Sequence, residues 1–415
     1  MPDKQCRRCK EQEAVHTIRA DPICNDCFSL FVKTKTVKRL EVLNRETKSS
    51  HTGRPGGGAP NSNVRKFYAG LSFGPSSSAL VDICEQIIVG RLSRGRDAAF
   101  NLHVVHVDTD LEQSSTDLDT PSPAEQRLDQ WRARYPRFTF ERVPLKDILA
   151  LDTIDWATLL PSNTTEETEQ KASQAQRPST PADLRTIISN LPSATSRRDV
   201  LDLLVRRLLI SKAAFTAENA PYDALLLGCS TTALAERTLA ETAKGRGFSL
   251  PWQINDGAIE DGAGHKLALY HPVRELFRNE LVLYLSAVAQ PPLTEGDFVL
   301  MPASASSAAA VVSHKDLSIE EVMTRYFAEV ELNYPSIVAN VVRTTAKLER
   351  HSHDHVHDHD GGESTSPGCR VCGMPLDEAG NERWKGEIGP LDGPEGDPRL
   401  RVERLCYGCE RSIHG

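Results

Sequence analysis

The chain has 415 residues, 39% of them hydrophobic, with 25 prolines, 26 glycines and a formal net charge of −8. That length suits one large domain or two to three smaller ones. No apolar run approaches the ~18 residues of a membrane span, so no membrane segment is expected. The start, Met1–Cys6, lacks the apolar core of a signal peptide, which leads us to expect a cytoplasmic or nuclear protein. An acidic chain is also a poor bulk coat for nucleic acid. The charge is uneven, however: residues 1–66 carry 14 Lys and Arg against 7 Asp and Glu. A basic head on an acidic body can meet phosphates locally, or it is simply a solvated surface.

In chain order, Cys6-x-x-Cys9 comes first, followed after 14 residues by Cys24-x-x-Cys27. Lys33, Lys35, Lys38, Arg39, Arg45 and Lys48 come next and are the candidate nucleic-acid contacts of the basic head. Ser49–Asn63, with three consecutive glycines, reads as a linker. Phe67–Leu71 predicts a strand, Gly74-Pro75 breaks it, and Leu80, Ile83, Cys84, Ile87 and Ile88 then repeat at helical spacing. Leu102–Val107 predicts a second strand, ending at Asp108, and Phe138–Val143 a third. The polar tract Pro161–Pro181 reads as a disordered insertion.

A helix is expected from Ser196, with Asp199 three residues on as its capping-box acid and Leu201, Leu204, Val205 and Leu208 on one face. Ala224–Leu227 predicts a fourth strand, stopped by Gly228, with a helix from Thr232. Ala303–Ala310 and the His-rich run His351–Pro367 read as surface or linker segments. Within that run, His351, His353, His355, His357 and His359 would at most bind metal loosely. Strands alternating with helices predict an α/β fold, a parallel sheet covered on both faces. The expected units are a metal module at 1–48, a linker at 49–63, an α/β domain at 64–350, a linker at 351–367 and a second metal module at 368–415.

The second module rests on Cys369-x-x-Cys372 and, with 33 residues between the pairs, Cys406-x-x-Cys409. In a reducing compartment such pairs read as metal ligands rather than disulfides. Two residues between cysteines let both thiolates reach one ion, and two pairs complete a tetrahedron with no open position. Each set therefore reads as a structural zinc site, with an iron–sulfur cluster as the alternative. Cys84 and Cys229 stand alone in apolar surroundings and read as packing residues.

The turn after the first strand is Leu71-Ser72-Phe73-Gly74-Pro75-Ser76-Ser77-Ser78. A loop of this kind directs backbone N–H groups at an anion on the positive end of a helix. It resembles the PP-loop of the adenine nucleotide alpha-hydrolase superfamily, which reads Ser-Gly-Gly-x-Asp-Ser. Ser72, Gly74 and Ser77 match; Phe73 replaces a glycine and Ser76 the acid. Leu102–Asp108 is similar to the second-strand motif of that family. Gly228–Glu236 is similar to Gly-His-Asn-x-Asp-Asp-x-x-Glu, with only Gly228 and Glu236 kept and with Cys229, Ser230, Thr232 and Ala233 in place of the polar residues. The tRNA-thiolating branch carries a catalytic Cys-x-x-Cys before a paired Arg. Here Arg206-Arg207 are present, but Asp199 and Asp202 stand in the cysteine positions. His271-Pro-Val-Arg-Glu-Leu and Tyr334-Pro-Ser-Ile are similar to later motifs of that branch.

The order of these motifs, with the cysteines, is similar to that of the cytoplasmic tRNA 2-thiolation protein 2 family, over most of residues 4–348. The resemblance implies a degenerate PP-loop partner of a catalytic wobble-uridine thiolase. It implies a heterodimer, tRNA as ligand, a thiocarboxylated ubiquitin-related modifier as sulfur donor and no catalytic residue in this chain. Ser72, Gly74 and Ser77 would then be the remains of a phosphate loop, or only shape a turn. Arg206 and Arg207 would contact RNA or lie on a solvated helix face. Two other readings stay open: a divergent sulfurtransferase using Cys229, and a zinc-bearing interaction protein unrelated to tRNA.

Overall fold

The computed structural model describes residues 5–51, 64–111, 122–159, 177–215, 221–293, 297–298, 317–350, 368–376 and 405–415, with side chains only to Thr47 in the first stretch. The greater part of the expected linkers and insertion (52–63, 160–176, 301–316 and 351–367) lies outside the described residues.

A short hairpin, β1 (His16–Ile18) and β2 (Asp21–Ile23), leads into the long helix α1 (Asn25–His51). The main sheet then begins with β3 (Arg65–Gly70), α2 (Pro75–Leu92), β4 (Phe100–Asp108), α3 (Pro123–Arg134) and β5 (Thr139–Pro144). Two helices follow, α4 (Pro181–Ser189) and α5 (Ala194–Ala214). The second half of the sheet is β6 (Ala224–Leu227), α6 (Thr231–Ala243), α7 (Leu250–Ile254), β7 (Gly257–Glu260) and β8 (Lys266–Tyr270). Helices α8 (Arg278–Ala287), α9 (Ile319–Asn333), α10 (Pro335–Thr345) and α11 (Tyr407–His414) complete the described elements.

The six strands lie in the order β5-β4-β3-β6-β8-β7, parallel except for β7, which runs against β8. Parallel strands bring the loops after β3, β4, β6 and β8 to one edge, where open α/β sheets place their ligands. Gly70 at the end of β3 is level with Val105 of β4 and Leu227 of β6.

Alternation along each strand divides the core into two faces. Phe67, Ala69, Leu102, Val104, Ala224 and Leu226 pack with Phe28 and Leu43 of α1, Leu80 and Ile83 of α2 and Leu281 of α8. Tyr68, Val105, Val107, Leu225, Leu267 and Leu269 pack on the other side with Leu204 and Leu208 of α5. The N-terminal cysteines Cys6 and Cys24 belong to the first cluster, and Cys369, Cys372 and Cys409 to the second. The two cysteine modules therefore lie on opposite sides of one sheet, packed against the helices that cover it.

The helix expected from Ser196 starts earlier. Ser193 is its N-cap and accepts from the Ser196 N–H at 3.0 Å. Asp199 is thus not a capping acid; it lies inside α5 and is 1% exposed. Leu204 and Leu208 are buried as expected, but Val200 and Leu203 join them while Leu201 and Val205 are half-buried. Arg206 and Arg207, read as RNA-facing or solvated, are both buried.

Candidate metal centres and the phosphate-loop site

The first cysteine set is assembled by a tight turn and a helix start. The Lys10 N–H donates to the Cys6 carbonyl at 2.9 Å, with Lys10 at φ 59° reversing the chain, and Cys24 and Cys27 flank the start of α1. In the second set, Gly373 at φ 71° closes the turn by donating to the Cys369 carbonyl at 2.7 Å, while Cys406 caps α11 and Cys409 sits in its first turn. The four Sγ atoms of each set lie within 4.8 Å of one another. Cys9 and Cys24 are 3.9 Å apart, Cys372 and Cys406 3.7 Å. A tetrahedron with metal–sulfur bonds of about 2.3 Å has edges of about 3.8 Å, so both sets fit a single ion. None of these cysteines is in a disulfide. Cys84, by contrast, is fully buried and its thiol is pushed up to about 12 by burial, as suits a packing residue.

The C-terminal set is wired to the centre of the molecule. Arg246 Nη2 lies 3.6 Å from Cys409 Sγ and also donates to Asp199 Oδ2 at 2.6 Å. Asp199 further accepts from Arg246 Nη1 at 2.8 Å, Lys244 Nζ at 2.5 Å and Ser412 Oγ at 2.7 Å. Lys244 also meets Glu241 at 2.8 Å and Glu320 at 2.7 Å. The Asp199 carboxylate thus anchors α11. Asp202, one turn on, pairs only with Arg198 at 3.0 Å among the described residues. Arg207 donates to the carbonyl and hydroxyl of Thr153 at 2.9 and 2.7 Å, and Arg206 to the Trp252 carbonyl at 2.9 Å.

The loop after β3 is closed by its own side chains. Ser77 Oγ accepts from the Ser72 N–H at 3.2 Å, donates to the Gly74 carbonyl at 3.1 Å and lies 3.1 Å from Ser72 Oγ. Phe73 is at φ 56°, the left-handed region that a glycine occupies without steric cost. Its ring is buried against His106, 4.6 Å between centroids, and Trp131 at 6.0 Å, with the Arg127 guanidinium 5.2 Å above it. The sequence-matched Ser72, Gly74 and Ser77 are therefore brought together, around hydroxyls that satisfy one another.

Gly228 shows how tightly this loop is held. A Cβ there would lie 2.4 Å from Ser77 Cα and 2.7 Å from Ser77 N. Both are backbone atoms at the start of α2 and cannot step aside. Gly228→Ala is expected to cost about 1–3 kcal/mol through overpacking, read as a shift of the urea midpoint with an unchanged slope. A midpoint equal to wild type would show that the two turns part easily. Glu236, the other retained motif residue, makes a two-point ion pair with Arg278 at 2.7 and 2.5 Å.

The basic residues of α1 divide into two groups. Lys35 is bonded to Glu275 at 2.8 Å and Arg39 to Asp256, tying the helix to the sheet domain. Lys38 and Arg45 are exposed, Lys33 is half-buried, and the Lys48 side chain lies outside the described residues. Beside the first cysteine set, a groove of about 470 Å³ is lined by Arg8, Leu30, Phe31, Thr34, Lys35 and Lys38. The Arg8 and Arg19 guanidiniums lie 5.4 and 5.3 Å from the Phe31 ring centroid. The basic-run argument missed Arg8 and Phe31 because they precede the run; the aromatic amid cations was the available signal. It also missed Asp256 and the proximity of His271 to Cys229, which come from separate strand ends.

The family profile of cytoplasmic tRNA 2-thiolation protein 2 matches residues 318–394. A protein of that name from Phaeosphaeria nodorum is 37% identical over 411 residues, covering 98% of this chain and 94% of its own length. Another from Pyrenophora tritici-repentis is 34% identical, covering 99% and 95% respectively. Among solved structures, a U34-tRNA thiolase from Methanococcus maripaludis described with its 4Fe-4S cluster is 15% identical, with a TM-score of 0.49, covering 90% of this chain and 96% of that one. At this identity and coverage the chain belongs to the cytoplasmic tRNA 2-thiolation protein 2 family.

Proposed function

We propose that this chain is the non-catalytic subunit of a cytoplasmic complex that places sulfur on C2 of the wobble uridine in tRNAs for Lys, Glu and Gln. Its partner is a catalytic PP-loop thiolase that adenylates the uridine, and the sulfur comes from a thiocarboxylated ubiquitin-related modifier. Both cysteine sets hold zinc, since four thiolates in a closed tetrahedron are a structural zinc site. The observation that carries the reading is the state of the phosphate loop, where Phe73 takes the glycine position and Ser72 and Ser77 bond to each other. Asp199 adds to it: a carboxylate cannot carry persulfide sulfur, and this one is committed to Arg246 and Lys244.

The test is direct. The isolated chain should neither adenylate nor thiolate tRNA, and deleting it from cells should abolish 2-thiouridine in bulk tRNA. Adenylation by the purified chain would favour the divergent sulfurtransferase instead. Purification without a thiolase partner or tRNA would favour an interaction protein unrelated to tRNA, a reading that family membership already opposes.

The groove beside Cys9 and Cys27, lined by Arg8, Lys35 and Lys38, is our candidate for tRNA backbone, with Lys33, Arg39, Arg45 and Lys48 elsewhere on α1 as the further contacts. Lys35 and Arg39 have internal acidic partners, so the informative set is Lys33, Lys38, Arg45 and Arg8. Neutralising all four should weaken tRNA binding by the complex and flatten its salt dependence, by about 0.7–0.9 in the log–log slope for each phosphate no longer neutralised. An unchanged slope would assign these residues to solvated surface.

A further inference from the structure

We propose that Cys229, His271 and Asp256 form an activated thiol at the C-terminal edge of the sheet, and that this thiol accepts sulfane sulfur from a persulfide donor. Cys229 follows β6 and directly precedes Ser230, the N-cap of α6; His271 follows β8; Asp256 lies between α7 and β7. Three chain segments thus bring a thiol, an imidazole and a carboxylate to one point, the sequence of roles that activates nucleophiles on unrelated folds.

The imidazole is held firmly. His271 is fully buried, with Nδ1 3.1 Å from Asp256 Oδ1, and the same carboxylate oxygen accepts the His271 backbone N–H at 2.9 Å. Asp256 is fixed in turn by Arg39 and by Arg274 at 3.4 Å. With Nδ1 donating to Asp256, the buried Nε2 has no hydrogen-bond partner among the described residues, and it is the ring nitrogen left to take the proton of the nearby Cys229 thiol. A second buried polar group serves the same place. Arg206 is 5% exposed, and its Nε and Nη1 have no hydrogen-bond partner among the described residues; Nη2 alone is bonded, to a carbonyl. A buried guanidinium with two idle donors invites an anion. The nearby charged groups acting on it are Cys229, Glu241, Arg237 and Arg350.

The surrounding charges oppose burial at both groups. Burial alone would raise the Cys229 thiol, but the His271 imidazole, Arg237 and Arg206 bring it below its ordinary value. Burial alone would lower His271, but Asp256 and Cys229 raise it. Both shifts run toward a thiolate–imidazolium pair. Cys229 is half-buried rather than sealed, unlike Cys84.

The chemistry is a transfer without net oxidation. The Cys229 thiolate attacks the terminal sulfur of a donor persulfide, R–S–S⁻. A new S–S bond forms on Cys229 as the donor S–S bond breaks, and R–S⁻ leaves with the electron pair. The product Cys229–S–S⁻ keeps the negative charge, one atom longer, toward the idle Arg206 donors. Only the choice of sulfur as ligand rests on the 2-thiolation reading; a Cys229 that holds sulfur neither adenylates nor thiolates tRNA, so the chain remains the non-catalytic partner of the thiolase.

The test uses the isolated full chain with its metal, without tRNA or partner, so its failure leaves the proposed function standing. Iodoacetamide labelling of Cys229 is followed by peptide mass spectrometry across pH, each rate normalised to its high-pH plateau. Limited access scales the plateau but not the midpoint, which should fall well below the ~8.5 of an ordinary thiol. Asp256→Asn should move it back up; if that variant misfolds, His271→Gln serves. Sodium polysulfide should add one sulfur to Cys229 and leave Cys84 unmodified. A wild-type midpoint at or above that of glutathione overturns the activated thiol. A low midpoint with no sulfur added overturns the sulfane-sulfur assignment.

Discussion

Replacing Asp199 with alanine is expected to cost about 3–5 kcal/mol of folding stability, the penalty for removing one partner of a buried ion pair. Asp199 and Arg246 are each 1% exposed in their side chains, and Lys244 is 5% exposed. The substitution leaves two cations to share Glu241 and Glu320, with Arg246 no nearer than 3.5 Å to Glu241. It also removes the acceptor of the Ser412 hydroxyl, one of the bonds holding α11. Urea denaturation of the metal-loaded protein measures the loss. Asp202→Ala is the control: its partner Arg198 is exposed, and such pairs are worth about 0–1 kcal/mol. Equal, small losses for the two variants would mean that the interior charges are not coupled as their distances indicate.

Removing the metal should have a larger effect still. Structural zinc contributes about 10–16 kcal/mol of apparent binding free energy in small finger domains, and here each set belongs to one of the two main apolar clusters. Protein purified without added metal is expected to hold about two zinc ions per chain, by elemental analysis, since each closed tetrathiolate takes one. Chelation under mild denaturant should release both and expose apolar surface to a hydrophobic dye. Cys409→Ser should lose one ion and loosen α11, while the first set keeps its metal. Iron with acid-labile sulfide, or no metal at all, would contradict the zinc assignment.

What could be read from the sequence was what is local. Two-residue spacing in each cysteine pair carries its chemistry by itself, and the short apolar-rich segments Phe67–Leu71, Leu102–Val107 and Ala224–Leu227, bounded by breakers or polar residues, revealed three central strands. The edge pair β7 and β8 gave a weaker signal, because β7 is four residues long and has one buried side chain. Asp199 was misread because a nearby serine made a sufficient local story. Its partners Lys244 and Ser412 are 45 and 213 residues away, and no local pattern encodes them. Arg206 and Arg207 were misplaced for a related reason. Charge suggests solvent, but a guanidinium can be buried when carbonyls such as those of Trp252 and Thr153 receive it. At the phosphate loop the sequence identified the missing parts, and the structure added that hydroxyls and a phenyl ring fill their place.

The placement of the two cysteine modules on opposite sides of one sheet has a consequence for synthesis. Strands β3 to β8 and helix α5 are all translated before the C-terminal module that packs against α5 on the second side. Leu204 and Leu208 meet Cys369, Val371 and Ile413 only after the ribosome has made the latter. Until then the nascent chain holds Arg246 and Asp199 without Ser412, beside an unfinished apolar surface. Such surfaces recruit chaperones and proteases. Completion of the fold is thereby tied to translation through Ile413, so a message truncated before Cys406 should yield a chain that is degraded rather than one that competes for partners.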